Sequence, residues 1–399
     1  MQRGPSRASA LCYNFRFPFE NMRSTLAAFL LVFALPLQAQ QPASSAPPAP
    51  LIAAKAYLLL DLSSNQLLAA QNPQQRVEPA SITKLMTAYL TFAALRQKTI
   101  RPEQAVQVSQ RAWRAEGSRM FIEPGKPVTV DELMRGMIVQ SGNDASIALA
   151  ETIAGSEDVF AQMMNREAGR LGMKNTHFVN ATGLPHPEHY STAEDLAKIA
   201  AAIIRDFPEH YPLYSQKEFR YNNITQSNRN RLLWSDPTVD GMKTGYTEAA
   251  GYCLITSARR GDRRLLSVIL GAAGEAVRAA ESQKLLNYGY QFYDGVRLYA
   301  ANQPVAALRV YKGSANSVKT GFLADLYLTL PKGQGEKLKA ALESEQPLLA
   351  PINAGQRVGT MKLTLDGKPF REFPVVALES VPAAGIFGRG WDALRLLFR

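Results

Sequence analysis

Short apolar runs at residues 56–62 and 66–71 flank the polar triplet Ser63-Ser64-Asn65, a pattern that predicts a β-hairpin. An apolar, helix-forming run follows from about residue 81 to 97. After a polar section holding Trp113 and Arg114, Val130-Asp131-Glu132-Leu133 opens a helix whose apolar part covers 133–139. It stops at Gln140-Ser141-Gly142-Asn143-Asp144, and another helix is predicted over 145–154. Helical periodicity returns at 157–171 and 193–205. The period then shortens. Residues 218–225 predict a strand, 239–246 a glycine-punctuated strand, and 251–259 with 263–271 a second hairpin. A long helix over 275–294 closes the region. A hairpin, a helical insert, more strands and a final helix make an α+β fold, with the first strands joining the later ones in one sheet.

The ends of the chain read differently. Residues 297–382 show short alternating runs, among them 326–330 and 358–365, with the turn Asp366-Gly367, and predict a small all-β domain. From Met22 the sequence has a basic start at Arg23, an apolar run over 26–37 and a cleavage site after Ala39, the layout of a signal peptide. Twelve residues are too few to span a bilayer comfortably. The true start is therefore expected at Met22, and the protein is expected outside the cytoplasm. The expected organisation is a signal region over 1–39, a Pro/Ala/Ser spacer over 40–52, a catalytic domain over 53–295, a β-rich domain over 296–382 and an end helix over 384–399. In that end helix Ile386, Phe387, Trp391, Leu394, Leu397 and Phe398 fall on one side at helical pitch, and Arg389, Asp392, Arg395 and Arg399 on the other. A basic amphipathic end helix predicts in-plane attachment to a membrane surface.

Composition narrows the partners. The 399 residues are 46% hydrophobic and 20% charged, as in globular proteins, with a formal net charge of +11 that suits an anionic partner. The basic residues are scattered without aromatic interleaving, which argues against nucleic acid. Cys12 leaves with the signal region, so Cys253 stands alone and no disulfide framework is expected. His177, His186, His189 and His210 lack a metal-ligand pattern and read as surface or loop residues. No metal and no cofactor are predicted.

Three short elements carry the candidate chemistry, in the order Ser81-x-x-Lys84, Ser141-x-Asn143 and Lys243-Thr244-Gly245. Ser81 begins the only serine-x-x-lysine in the chain. Decoys of the other two exist at Ser63-Ser64-Asn65, Ser314-Ala315-Asn316 and Lys319-Thr320-Gly321, the last two crowded together in the β-rich part and read as turns. At helical spacing Lys84 sits beside the Ser81 hydroxyl, so a neutral lysine amine can take its proton while the serine attacks a carbonyl. Ser141 can relay that proton, since a hydroxyl both donates and accepts. Asn143 can hold Lys84 and a substrate amide. Lys243 supplies a positive charge that attracts a substrate carboxylate and lowers the Lys84 pKa. Thr244 adds a hydroxyl donor, Gly245 allows close approach, and the amides of Ser81 and Tyr246 can form an oxyanion hole.

On Ser81-Ile82-Thr83-Lys84-Leu85-Met86-Thr87, Gln140-Ser141-Gly142-Asn143-Asp144-Ala145, Lys174-Asn175-Thr176-His177-Phe178, Asn228-Arg229-Asn230 and Val239-Asp240-Gly241-Met242-Lys243-Thr244-Gly245, the chain resembles the type-5 low-molecular-mass penicillin-binding proteins. These are the serine-type D-alanyl-D-alanine carboxypeptidases of peptidase family S11. The resemblance implies a penicillin-recognising, β-lactamase/transpeptidase-like catalytic domain with a β-rich second domain. It implies removal of the terminal D-alanine from peptidoglycan pentapeptide stems, acylation of the same serine by β-lactam antibiotics, and a place on the periplasmic face of the inner membrane. Tyr246 stands where some relatives carry histidine, and Arg278 matches a family arginine, with carboxylate binding and a surface salt bridge as its two readings. The alternatives are a β-lactamase, for which Glu188 lies on the loop that would hold a deacylating carboxylate, and a non-catalytic peptidoglycan or β-lactam binder.

Overall fold

In the computed structural model, residues 46–385 are described; the expected signal region, the first part of the spacer and the end helix from residue 386 lie outside them. The first hairpin pairs β1 (Ala56–Asp61) with β2 (Gln66–Gln71). A single turn of 3₁₀-helix (Ala80–Thr83) runs directly into α1 (Lys84–Arg96). Helix α1 is buried almost all the way round, from Lys84 to Phe92 without a break, as a helix at the centre of a core must be. Its threonines stay satisfied there, with Thr91 Oγ1 donating to the Thr87 carbonyl and Thr87 Oγ1 to the Ala181 carbonyl.

The helical insert is arranged around α1. The small strands β3 (Ala105–Val106) and β4 (Val128–Thr129) pair across α2 (Gln110–Trp113). Helix α3 (Val130–Arg135) opens on a capping box in which Thr129 and Glu132 satisfy each other's free backbone amides. It ends about one turn sooner than the apolar pattern suggests. A π-turn over Gly136–Gln140 replaces its last part, and Ser141 turns left-handed at φ 68 before α4 (Asn143–Ala154). Helices α5 (Glu157–Arg170) and α6 (Ala193–Asp206) complete the insert.

Residues 218–225 are not one strand. Asn222 and Asn223 both adopt left-handed backbone and fold the segment into a tight hairpin, β5 (Glu218–Tyr221) and β6 (Ile224–Ser227). After α7 (Leu232–Ser235) come β7 (Val239–Thr247), β8 (Gly251–Arg260) and β9 (Arg263–Ala272). The antiparallel sheet runs β2-β1-β9-β8-β7, so the first hairpin does join the late strands, through β1 and β9. The sheet is buried on both faces. Leu58, Leu266 and Val268 face the helical body, while Leu59, Leu265 and Ile269 face Leu285 and Leu286 of α8 (Glu275–Phe292). This explains why β1 reads as a continuous apolar run rather than an alternating one.

Helix α8 leads straight into strand Tyr293–Tyr299, so the chain is already extended where the sequence suggests helix up to Asp294. That strand pairs with Leu326–Pro331, and a six-stranded sheet follows, including the hairpin Arg357–Leu365 and Lys368–Ala377 around Asp366-Gly367. Both turn residues have positive φ, 52 and 76, as a two-residue hairpin turn demands. Strand Leu326–Pro331 is fastened to the first hairpin. The buried Asp61 carboxylate accepts from Thr329 Oγ1 at 2.8 Å and from Arg263 Nε at 2.7 Å, and the Gln66 amide pairs with both backbone groups of Thr329.

Candidate active site

The turn that carries Ser81 is squeezed between two glycines. Gly245 on β7 lies so close that a Cβ there would stand 3.1 Å from the Pro79 carbonyl and 3.2 Å from Ala80 Cβ. A Cβ on Gly183 would collide with the Ala80 carbonyl, and its φ of +82 also excludes an easy substitution. Ile82 plugs the turn into the core with no exposed surface. Ser81 is left at the floor of a cleft of about 400 Å³.

Lys84 is 1% exposed. Its Nζ lies 3.0 Å from Ser81 Oγ, 2.7 Å from Asn143 Oδ1 and 2.6 Å from the Thr182 carbonyl. A neutral amine has two N–H donors and one lone pair. Two carbonyl oxygens take the donors, which leaves the lone pair for the Ser81 hydroxyl. Burial first, and then the Arg229 guanidinium, lower the Lys84 pKa to about 7 against the opposing pull of Asp144 and Glu157.

The π-turn and the left-handed Ser141 aim the second element at the same place. Asn143 is held on both sides: Oδ1 accepts from Lys84, and Nδ2 donates to the Glu116 carbonyl at 2.6 Å. Asp144, at the start of α4, accepts from the amides of Met120, Phe121 and Ile122 and so pins the segment that follows the cleft-lining Gly117 and Ser118. Gly136 has no room for a side chain because Met120 lies against it. Ser141 Oγ accepts from Lys243 Nζ at 2.9 Å, and Lys243 also donates to the Thr244 carbonyl at 3.0 Å.

On β7, Thr244, Gly245 and Tyr246 form one wall of the cleft, and Lys243 lies behind Ser141. Tyr246 is 52% exposed and packs on Tyr252, ring centroids 4.4 Å apart. Arg278 of α8 reaches the same wall, donating to the Gly245 carbonyl at 3.2 Å. It is buried, and its one ion pair among the described residues is a long one, 3.9 Å to the half-exposed Glu275. The structure thus gathers Ser81, Lys84, Ser141, Asn143, Lys243, Thr244, Gly245, Tyr246 and Arg278 around one cleft, although they come from four separate parts of the chain.

Four groups escape sequence reasoning. Arg229 lines the cleft with no hydrogen-bond or ion-pair partner among the described residues, and it is a cation that acts on Lys84. Lys243 and Lys84 act on each other as like charges, and Lys243 is driven well below the ordinary lysine range, first by burial and then by Lys84, Arg229 and Arg278. Thr182 contributes a backbone carbonyl, which leaves no mark in a sequence; Asn180 Oδ1 shapes its loop by accepting from the amides of Thr182 and Gly183. Glu157, buried and paired with Arg111, fixes the same loop by accepting from the Ala181 amide at 3.0 Å. His189 is 2% exposed, not a surface residue. Its Nδ1 accepts from the Val179 amide, so Nε2 carries the proton and donates to Thr83 Oγ1. Glu188 is exposed and absent from the cleft lining. The decoy Lys319-Thr320-Gly321 lies in a strand, Ser317–Gly321, rather than a turn.

Comparison with known proteins shows the family and the fold. The sequence pattern of D-alanyl-D-alanine carboxypeptidases, peptidase S11, matches residues 41–274, and that of the penicillin-binding protein 5 C-terminal domain matches 293–383. The chain is 42% identical to the D-alanyl-D-alanine carboxypeptidase DacC of Escherichia coli (strain K12), over 93% of this chain and 94% of that one. Penicillin binding protein 5 from Haemophilus influenzae superposes with a TM-score of 0.82 at 42% identity, covering 84% of this chain and 99% of the other. Penicillin-binding protein D2 from Listeria monocytogenes, in its ampicillin-bound form, matches at TM-score 0.57 and 29% identity, over 61% of this chain and 100% of that chain. The chain belongs to the D-alanyl-D-alanine carboxypeptidase family.

Proposed function

We propose that this carboxypeptidase removes the terminal D-alanine from peptidoglycan pentapeptide stems through an acyl-enzyme on Ser81, and that β-lactams acylate the same serine. The observation that carries the assignment is the Lys84 amine, buried, 3.0 Å from Ser81 Oγ, with two carbonyl oxygens to occupy its two donors. Ser81 Oγ attacks the carbonyl of the penultimate residue as its proton passes to Lys84. The amides of Ser81 and Tyr246 receive the oxyanion. Ser141 Oγ accepts from Lys243 and gives its own hydroxyl proton to the departing amine while taking up the one held on Lys84, which leaves Lys84 neutral again. D-alanine leaves, and water, deprotonated by Lys84, clears the ester. Asn143 holds Lys84 in register, and Thr244 and Gly245 line the path of the substrate backbone. The free Arg229 and the buried Arg278 receive the terminal carboxylate.

Export and membrane attachment complete the reading: action on the periplasmic face of the inner membrane, in cell-wall maturation, with the segment over 384–399 as an in-plane anchor. Among the described residues no helix is long and apolar enough to cross a membrane. One experiment separates the activities. The protein is incubated with a pentapeptide ending in D-Ala-D-Ala and, separately, with a penicillin. D-alanine release with a long-lived penicilloyl adduct supports the carboxypeptidase. Rapid penicillin turnover would make it a β-lactamase, and an adduct without D-alanine release would make it a binder.

A further inference from the structure

Two guanidiniums, Arg229 and Arg278, line the cleft, and the buried Lys84 and Lys243 lie beneath it. One acidic side chain, Glu275, stands among its lining residues. Glu275 is the first residue of α8, after Gly274, which offers no side-chain cap. Its carboxylate is 47% exposed and lies between two guanidiniums, 3.2 Å from Arg231 Nε outside the cleft and 3.9 Å from Arg278 Nη2 on its wall. It also stabilises the charged form of Arg229. Four positive sources therefore meet where Glu275 sits: Arg231, Arg278, Arg229 and the amino end of an 18-residue helix.

We infer that Glu275 is an internal competitor for the substrate's terminal carboxylate, screening Arg278 and Arg229 and weakening capture of anionic chain ends. The inference rests on the reading that these two arginines receive that carboxylate. A substrate carboxylate approaching Arg278 meets a guanidinium already facing an anion, so part of the attraction is cancelled. The same cancellation helps the carboxylate of the released D-alanine to leave. Glu275 touches no reacting atom in this account; it is a specificity-determining residue that acts through the arginines.

The test compares the full-length protein with its Glu275→Gln and Glu275→Asp variants on a pentapeptide ending in D-Ala-D-Ala. The same peptide as its C-terminal amide serves as a competing inhibitor. Loss of one half-exposed charge is expected to lower KM for the acid about threefold or more at low salt, with the gain shrinking as salt is raised. Inhibition by the amide is expected to be unchanged, and Glu275→Asp, which keeps the charge, to stay near wild type. A KM that is unchanged or raised in Glu275→Gln overturns the inference. If the wild-type protein binds acid and amide equally well, the carboxylate reading of the arginines has failed instead.

Discussion

His189 Nε2 lies 2.8 Å from Thr83 Oγ1, and this bond ties the loop that delivers the Thr182 carbonyl to the turn that carries Ser81. Burial, with His177, His186 and Lys84 nearby, lowers the His189 pKa to about 4, so it is neutral at pH 7. An unfolded histidine takes up its proton near pH 6.5. Between about 6.5 and 4 the unfolded chain therefore binds the proton and the folded chain does not. The contribution is whole above 6.5, shrinks as pH falls, and is gone below about 4, a change of about 3 kcal/mol. Thermal unfolding of the wild type should lose midpoint across this window, and His189→Gln should lose less while starting lower. Parallel curves for the two proteins would contradict this.

The Lys84 pKa of about 7 sets the acid side of the pH–rate profile. Acylation, followed as kcat/KM, should fall about tenfold per pH unit below about 7. Arg229 lowers that pKa, so Arg229→Ala should move the acid limb to higher pH as well as raise KM for a substrate with a free carboxylate. A raised KM with an unmoved limb would separate Arg229 from Lys84.

Gly183 tests how tightly the nucleophile turn is held. In Gly183→Ala the new methyl would collide with the Ala80 carbonyl at a backbone φ of +82. Stability should fall by roughly 2–4 kcal/mol. Acylation of the folded fraction by penicillin should also slow, because Ser81 must shift. A change at Gly172, also at positive φ but with open space around it, should cost less and leave acylation intact.

The segment over 384–399 is expected to hold the protein on membranes through its apolar face. Removing it should release the protein to the soluble fraction with D-alanine release from a soluble peptide intact. Unchanged membrane retention would defeat the anchor.

Much of this arrangement is legible in the sequence because it is local. Ser81 and Lys84 sit three residues apart in one helical start, and Thr129 with Glu132 marks the opening of α3. The both-faces burial of β1 shows in its unbroken apolar run. What is not legible depends on approach in space or on the backbone. The Thr182 carbonyl has no side-chain signature. Arg229 and Lys243 are both plain cations in a sequence, and only burial and partners separate the free arginine from the sequestered lysine. Asn222-Asn223 was readable as a turn, yet the flanking β-formers on either side mask it as one strand. His189 reads as a loop residue until Thr83 is seen to face it.

The most direct test of the account is mass spectrometry of the penicillin-treated protein, read with D-alanine release by Ser81→Ala. The account places the penicilloyl group on the peptide containing Ser81 and requires Ser81→Ala to lose both the adduct and D-alanine release. An adduct on another residue, or D-alanine release that survives in Ser81→Ala, would contradict it.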